Sequence, residues 1–205
     1  MLNIKAMLKE SLKFLGAACL FATVACSSNS NSGGSTDTDS VVVIDTSADS
    51  TMAKSAHADI SATKKDTAGS GTAHFTQSPG KAVQMKLTLD FPKKANQSVA
   101  VHFHEHGDCG DMGNGAHGHW NPTKEKHGKW GAAEYHSGDI GNITLDANGK
   151  AEITIESERW TIGGDEKTNI LNRAIIVHSG VDDYTTQPTG NSGSRIGCGV
   201  IMAVN

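Results

Sequence analysis

From about Thr51 to its end, the chain consists of short apolar–polar alternations that break at Gly, Asn or Pro before a helix could form. Alternation with period two places successive side chains on opposite faces of a strand. A helix would need apolar residues three and four apart over ten or more positions, and no segment in this region offers them. Gly71–Gln77, Ala82–Phe91, Ser98–Glu105, Asn142–Leu145, Ala151–Ile155, Arg173–His178 and Ile196–Val204 read as strands, with a weaker one near Met52–Thr63. Ala147-Asn148-Gly149 has the composition of a hairpin turn between two of them. The expected fold is all-β, and roughly 155 residues suffice for one domain with a real core. Two irregular stretches, 106–141 and 179–195, are long enough to suggest functional loops.

The first 50 residues are of a different kind. Lys5, Lys9 and Lys13 precede an apolar run from Phe14 to Ala25, the layout of an export signal and too short for a stable membrane span. Thr23-Val24-Ala25-Cys26 resembles a bacterial lipoprotein cleavage site, with residues 1–26 as the signal and Cys26 as the lipidated residue. Gly16-Ala17-Ala18-Cys19 is a competing site, and an ordinary cleaved secretory signal is the alternative. Residues 27–50 are mostly Ser, Asn, Gly, Thr and Asp and read as a flexible tether, with one apolar patch at Val41–Ile44. The expected location is outside the cytoplasm, in the periplasm or cell envelope, with a lipid anchor as the sole membrane contact.

Cysteine usage fits export. Of four cysteines, Cys19 would leave with the signal and Cys26 would carry lipid. Cys109 and Cys198 remain, and in an oxidising compartment a disulfide is the default, two buried free thiols being the alternative. Formal charge is −4 for the whole chain, and removing three Lys and one Glu with residues 1–26 leaves −6. No basic stripe exists to support a nucleic-acid partner. The overall charge also opposes an anionic substrate, so attraction to one must be local.

The chemistry lies in six histidines and one aspartate: His102, His104, His119, His127, His136, Asp139 and His178. Imidazole suits copper and zinc, and a carboxylate beside three imidazoles leans toward zinc. This set is too large for one mononuclear site and sufficient for two that share a ligand. His102 and His104 would face the same way on a strand, roughly 6–7 Å apart, within reach of one ion. His178 could supply a third ligand from the end of another strand. His127, His136 and Asp139 fit a closed zinc site in a Gly-rich loop that the ion itself would help order. That site needs one more ligand, and His119 is the candidate, with His117 a competitor. If His119 used both ring nitrogens it would join the two ions, as a fully deprotonated imidazole between two cations can.

At these residues the chain resembles the copper/zinc superoxide dismutase family. The resemblance is carried by His102-Phe-His104-Glu-His-Gly-Asp-Cys109, His119-Trp-Asn-Pro122, His127-Gly and His136-Ser-Gly-Asp139-Ile-Gly-Asn142. It continues in Val177-His178, Asp182-Asp183 and Thr189-Gly-Asn-Ser-Gly-Ser-Arg195-Ile-Gly-Cys198-Gly-Val, and covers about residues 51–205. It implies an eight-stranded Greek-key β-barrel or sandwich with two long functional loops, binding copper and zinc and converting superoxide to oxygen and hydrogen peroxide. By resemblance, His102, His104, His119 and His178 are the copper ligands, and His119, His127, His136 and Asp139 the zinc ligands. Asp182 is implied to hydrogen-bond ligands of both metals, and Cys109 and Cys198 to tie the metal loop to the last strand. Arg195 is implied to guide superoxide at the copper channel opposite Thr189, and His119 to relay a proton.

Some features depart from the family. Ser98-Val99-Ala100-Val101 replaces the His-Gly pair common before the copper strand, and the stretch from His178 to Arg195 lacks an acidic-and-lysine cluster. Steering is then expected to rest on Arg195. His106 stands where family members often place an apolar residue near a dimer contact, which disfavours that dimer and leaves monomer or homodimer open. His57, His74, His106 and His117 are expected on the surface, Trp120, Trp130 and Trp160 in packing, and the Lys124–Lys129 cluster on a solvated loop face. A copper carrier on this fold would tend to lack Arg195 or some zinc ligands. A zinc hydrolase would need an open zinc position.

Overall fold

A computed structural model of the chain describes residues 52–204. The expected signal over residues 1–26, Cys26 and its competitor Cys19, and the tether 27–50 with its Val41–Ile44 patch lie outside the described residues. Eight strands form the fold: β1 (Lys54–Ala62), β2 (Ser70–Gln77), β3 (Val83–Asp90), β4 (Ser98–His104), β5 (Asp139–Thr144), β6 (Lys150–Ser157), β7 (Ala174–His178) and β8 (Arg195–Val200). A short ninth, β9 (Met202–Val204), follows. Among the described residues the only helical pieces are two 3-10 turns, Pro92–Lys94 and Asp111–Ala116.

The strands pair antiparallel in the order β5-β4-β7-β8-β1-β2-β3-β6, with β9 beside β1. Placing β3 against β6 and β4 against β7 gives the crossovers of a Greek key. The path curls until its two ends nearly meet, and the segment Asp146–Lys150 joins them. Asp146 N–H donates to Lys150 O at 2.8 Å and Gly149 N–H to Asp146 O at 3.0 Å, with Gly149 at φ 78°. This is the tight turn expected at Ala147-Asn148-Gly149, but the strands it joins do not pair as a hairpin. β5 pairs with β4 and β6 with β3, so the turn carries the chain across the seam of a nearly closed barrel.

Alternation fills the interior. Val83, Met85, Leu87 and Leu89 of β3 are buried and meet Ala73 and Phe75 of β2 and Ala56, Ala58 and Ile60 of β1. Phe75 stands edge-on to Phe103 at 5.9 Å, and Phe103 packs on Trp160 at 4.8 Å. Trp120 and Trp160 are buried in this core, with Trp130 packed against it.

On one side of the barrel the alternation vanishes. β4 is buried at every position from Val99 onward, and β7 throughout. Val99, Val101, Phe103, Ile175 and Val177 belong to the barrel core. The alternate residues, among them His102, His104, Ala174, Ile176 and His178, point outward and are covered by the two long loops. Ala116 of the second 3-10 turn packs on Ala174, Ile176 and Cys198, with Cys109 alongside. A disulfide joins Cys109 to Cys198, 89 residues apart, and ties this loop to β8.

Most strand ends shift by one or two residues from the sequence expectation, and three boundaries bear on the core or the site. The last strand divides at Ile201, which is buried and anchored by Ile201 N–H to Arg173 O and Asn172 N–H to Ile201 O, both 2.9 Å. β4 ends at His104, so Glu105 is an exposed loop residue beyond the strand. β5 begins at Asp139 rather than Asn142, because a bulge between Val101 and His102 lets His102 pair with Asp139.

Candidate metal centre

The seven expected ligands are all buried, and they converge in two groups outside the barrel core and beneath the loops. In the first, His102, His104, His119 and His178 each offer a ring nitrogen, all within 4.8 Å of one another. In the second, His119, His127, His136 and Asp139 do the same. His119 belongs to both groups. His117, its competitor in the sequence, is exposed and belongs to neither.

β4 and β7 are adjacent strands that present His102, His104 and His178 on one outward face. The His102 and His104 rings lie 6.4 Å apart, the spacing expected two residues along a strand. A second bulge, between Val177 and His178, aims His178 at the same place. His104 Nε2 and His178 Nε2 approach to 3.4 Å.

Each imidazole except His119 has its remaining nitrogen held by the protein. His102 Nε2 is 2.8 Å from Asp182 Oδ2, and His127 Nε2 is 2.9 Å from Asp182 Oδ1. His104 Nδ1 donates to the His117 carbonyl at 2.8 Å, His178 Nδ1 to that of Gly193 at 3.3 Å, and His136 Nε2 to that of Glu125 at 3.1 Å. Such outer contacts select which nitrogen is left for a metal. His119 Nδ1 instead lies 2.9 Å from Asp139 Oδ1, itself a member of the second group. Its Nε2 turns to the first group, where its ring stacks on His102 at 3.9 Å.

The residues fit a pair of ions. Four buried ring nitrogens have no hydrogen-bond partner: His102 Nδ1, His119 Nε2, His127 Nδ1 and His136 Nδ1. Leaving one buried polar atom unpaired costs roughly 1–3 kcal/mol, so four clustered in one place call for a partner the protein itself does not supply. Around Asp139 the nearest nitrogens of His119, His127 and His136 stand at 2.9, 3.0 and 3.3 Å. Four donors about 2.0–2.1 Å from a tetrahedral ion would be roughly 3.3 Å apart. Three imidazoles with one carboxylate suit zinc, and four imidazoles suit copper.

Electrostatics prepare these groups. Burial lowers His119 to about 4 against the pull of Asp139, and lowers His178 to about 3 with help from neighbouring His102. Burial also holds His104 well below the usual histidine range. These rings are neutral at pH 7, the form in which a metal can take the lone pair. Burial opposes charge on His127 too, but its contacts with Asp139 and Asp182 prevail and raise it to about 9. For Asp139, burial is outweighed by the close approach of the His119, His127 and His136 rings, which hold its carboxyl far below the ordinary range. Asp182 is lowered in the same way by His102 and His127.

A cleft of about 270 Å³ opens over the first group, lined by His104, His119, His178, Thr189, Asn191, Ser192, Gly193 and Arg195. Arg195 is half-buried, and its guanidinium donates to the carbonyls of Gly113 and His117. Those bonds hold a cation at the mouth of an otherwise acidic protein.

Several supporting residues were not legible in the sequence. Asn142 clamps Asp182 from both sides, accepting its N–H at 2.7 Å and donating to its carbonyl at 2.8 Å. Gln187 does the same for the His127 backbone, accepting from its N–H and donating to its carbonyl, both at 2.9 Å. Glu125, in the charge cluster expected to be solvated, instead binds Arg159 at 2.6 Å and orients His136 through its carbonyl. Gly190, at φ 68°, passes so close that a Cβ there would collide with Asp182 Oδ1 and His127 Nε2. These partners lie tens of residues apart, so spacing gives no sign of them. Only the motif residues Asn142 and Gly190 could have been suspected.

Comparison with known proteins agrees with this geometry. A family model described as copper/zinc superoxide dismutase (SODC) matches residues 69–201. Copper–zinc superoxide dismutase 2 of Aquifex aeolicus (strain VF5) is 38% identical over 110 residues, spanning 52% of this chain and 64% of that protein. The copper–zinc superoxide dismutase of Candida albicans is 34% identical over 151 residues, spanning 69% of this chain and 95% of that one. Among solved structures, a double mutant of a SOD-like protein from Bacillus subtilis superposes with a TM-score of 0.63 at 28% identity. It covers 71% of this chain and 96% of that one.

Proposed function

Because the chain belongs to the copper/zinc superoxide dismutase family, we propose that it is a superoxide dismutase acting in the cleft beside His119 and Arg195. Two superoxide radicals and two protons become oxygen and hydrogen peroxide. The observation that carries this reading is the position of His119: it belongs to both ligand groups, and its unpartnered Nε2 belongs to the group beneath the cleft.

His102, His104, His119 and His178 would hold copper, and His119, His127, His136 and Asp139 would hold zinc. Copper supplies a one-electron redox couple there, and zinc a cation that does not change oxidation state. Arg195 draws the anion into the cleft with a local positive field, which the net charge of −4 does not provide. His119 takes up and returns a proton at Nε2. That nitrogen has no protein partner, and His119 lines the cleft, where a positioned proton donor can serve the developing peroxide. Asp182 fixes the orientation of His102 and His127 together, and Thr189 lines the cleft with Arg195. A copper carrier would have no need of Arg195 in the cleft. A zinc hydrolase would need a free zinc position, whereas four donors surround the second group.

The export reading assigns residues 1–26 to a signal, Cys26 to lipidation, 27–50 to a tether and 51–205 to the catalytic domain. Its support is the Cys109–Cys198 disulfide, a bond that persists in oxidising compartments. Mass spectrometry of the mature N-terminus tests it, and an unmodified start elsewhere than Cys26 refutes the anchor. The function itself is tested by a superoxide-decay assay on protein whose copper and zinc have been quantified. Rapid decay at one copper and one zinc per chain is expected. Equimolar metal without activity would make the chain a carrier.

A further inference from the structure

The segment leaving β4 and the segment returning to His119 run side by side. Glu105 N–H donates to Gly118 O at 3.0 Å, His106 N–H to Ala116 O at 3.2 Å, and Trp120 N–H to Phe103 O at 2.8 Å. This pairing gathers Glu105, His106 and His117 on one exposed corner, where one donor atom of each lies within 4.8 Å of the other two. The rings of His106 and His117 meet edge to face, 4.6 Å apart at 86°.

The corner is rigidly built. Its loop is tied down by the Cys109–Cys198 disulfide and by the Arg195 guanidinium on the His117 carbonyl. The same carbonyl accepts from His104 Nδ1. His117 adopts φ 62°, ψ −140°, a left-handed backbone that is unfavourable for a residue with a Cβ. That conformation turns the His117 side chain outward, toward His106, while its carbonyl faces inward.

We infer that Glu105, His106 and His117 form a third, surface metal site that takes a divalent first-row ion, with Cu(II) preferred. Two imidazoles and a carboxylate are a ligand set for such ions, and copper binds most tightly in the divalent series. Small rotations of the exposed side chains bring the donors to the roughly 3.3 Å spacing that ligands of one ion require. With three protein ligands and solvent in the remaining positions, the site exchanges its ion more readily than the closed groups beneath it.

The test uses the full protein loaded with copper and zinc, freed of loosely held metal by gel filtration and then titrated with Cu(II). Calorimetry and electron paramagnetic resonance should report one further equivalent with nitrogen ligation. His106→Ala and Glu105→Gln should each weaken that equivalent by at least the roughly 10- to 100-fold typical of losing a supporting partner. The tightly retained copper and zinc should stay unchanged. Absence of the further equivalent, or its persistence in His106→Ala, overturns the site. Loss of the equivalent in His74→Ala instead would assign the ion to the facing His57–His74 pair on β1 and β2, and would equally overturn it. Retained metal is counted before the titration, so a shortfall there faults the buried groups, while dependence on His106 still decides the surface site.

Discussion

Asn142 and Asp182 exchange two backbone–side-chain hydrogen bonds across 40 residues, at 2.7 and 2.8 Å. One end of this clamp sits on β5 and the other on the loop after β7, so it fixes the carboxylate that links His102 of the first ligand group to His127 of the second. Removing the clamp should release Asp182 without touching any ligand. We expect Asn142→Ala to weaken retention of both metals by roughly 10- to 100-fold. Competition with a chelator measures it, and unaltered retention would mean the loop holds Asp182 unaided.

Gly190 offers a sharper version of the same test. Its backbone has φ 68°, and a Cβ there would run into Asp182 Oδ1 and His127 Nε2. Gly190→Ala is expected to lower zinc content first, because His127 is a member of the second group. The fold should survive, as the change lies outside the barrel core. Normal zinc and copper occupancy in this variant would contradict the packing described.

His119→Ala removes the shared ligand. The barrel core does not depend on this side chain, so soluble protein with an intact circular-dichroism spectrum is expected. Dismutase activity should fall by about 10²-fold or more, the scale at which a positioned proton donor contributes. Full activity would refute the shared role.

Arg195→Ala is expected to slow the reaction by about tenfold or more at low salt and to flatten its dependence on ionic strength, since steering acts on association. Stopped-flow decay over a salt series tests this. An unchanged rate would place the attractive field elsewhere.

Breaking the disulfide by Cys198→Ser should destabilise the domain by about 2–5 kcal/mol, as expected when a bond closing a long loop is lost. The loss should appear in chemical denaturation. The covering loop should loosen with it, because Cys109 and Cys198 pack with Ala116, Ala174 and Ile176. An undisturbed midpoint would show that packing alone secures the loop.

Much of the fold was legible because strands leave a local trace. The alternation in Val83–Asp90 gives both the element and its buried face, and each of the eight expected strands has a counterpart. The seven candidate ligands, which the structure gathers in two groups, were equally legible, since imidazole and carboxylate are chosen by chemistry rather than by packing. Local patterning did not reach long-range events. The turn at Asp146–Lys150 looked like a hairpin because sequence shows the turn and not the partner each strand takes. β4 carries apolar and polar residues alike, yet is buried on both faces, because loops far away in sequence fold over its outer side.

By itself, then, the sequence determined an all-β chain, its candidate ligands and the pair of cysteines able to bridge. Tertiary structure decided how the ligands divide. Pairing β4 with β7 and starting β5 at a bulge brings residues from positions 102 to 178 within one ion's reach. Asp182, set by Asn142, then fixes which nitrogen His102 and His127 present. His119 rather than His117 stands between the two groups, because the backbone turns at His117 and sends its side chain to the surface. That choice depends on a dihedral angle and on contacts across the barrel, and neither leaves a mark in the order of residues.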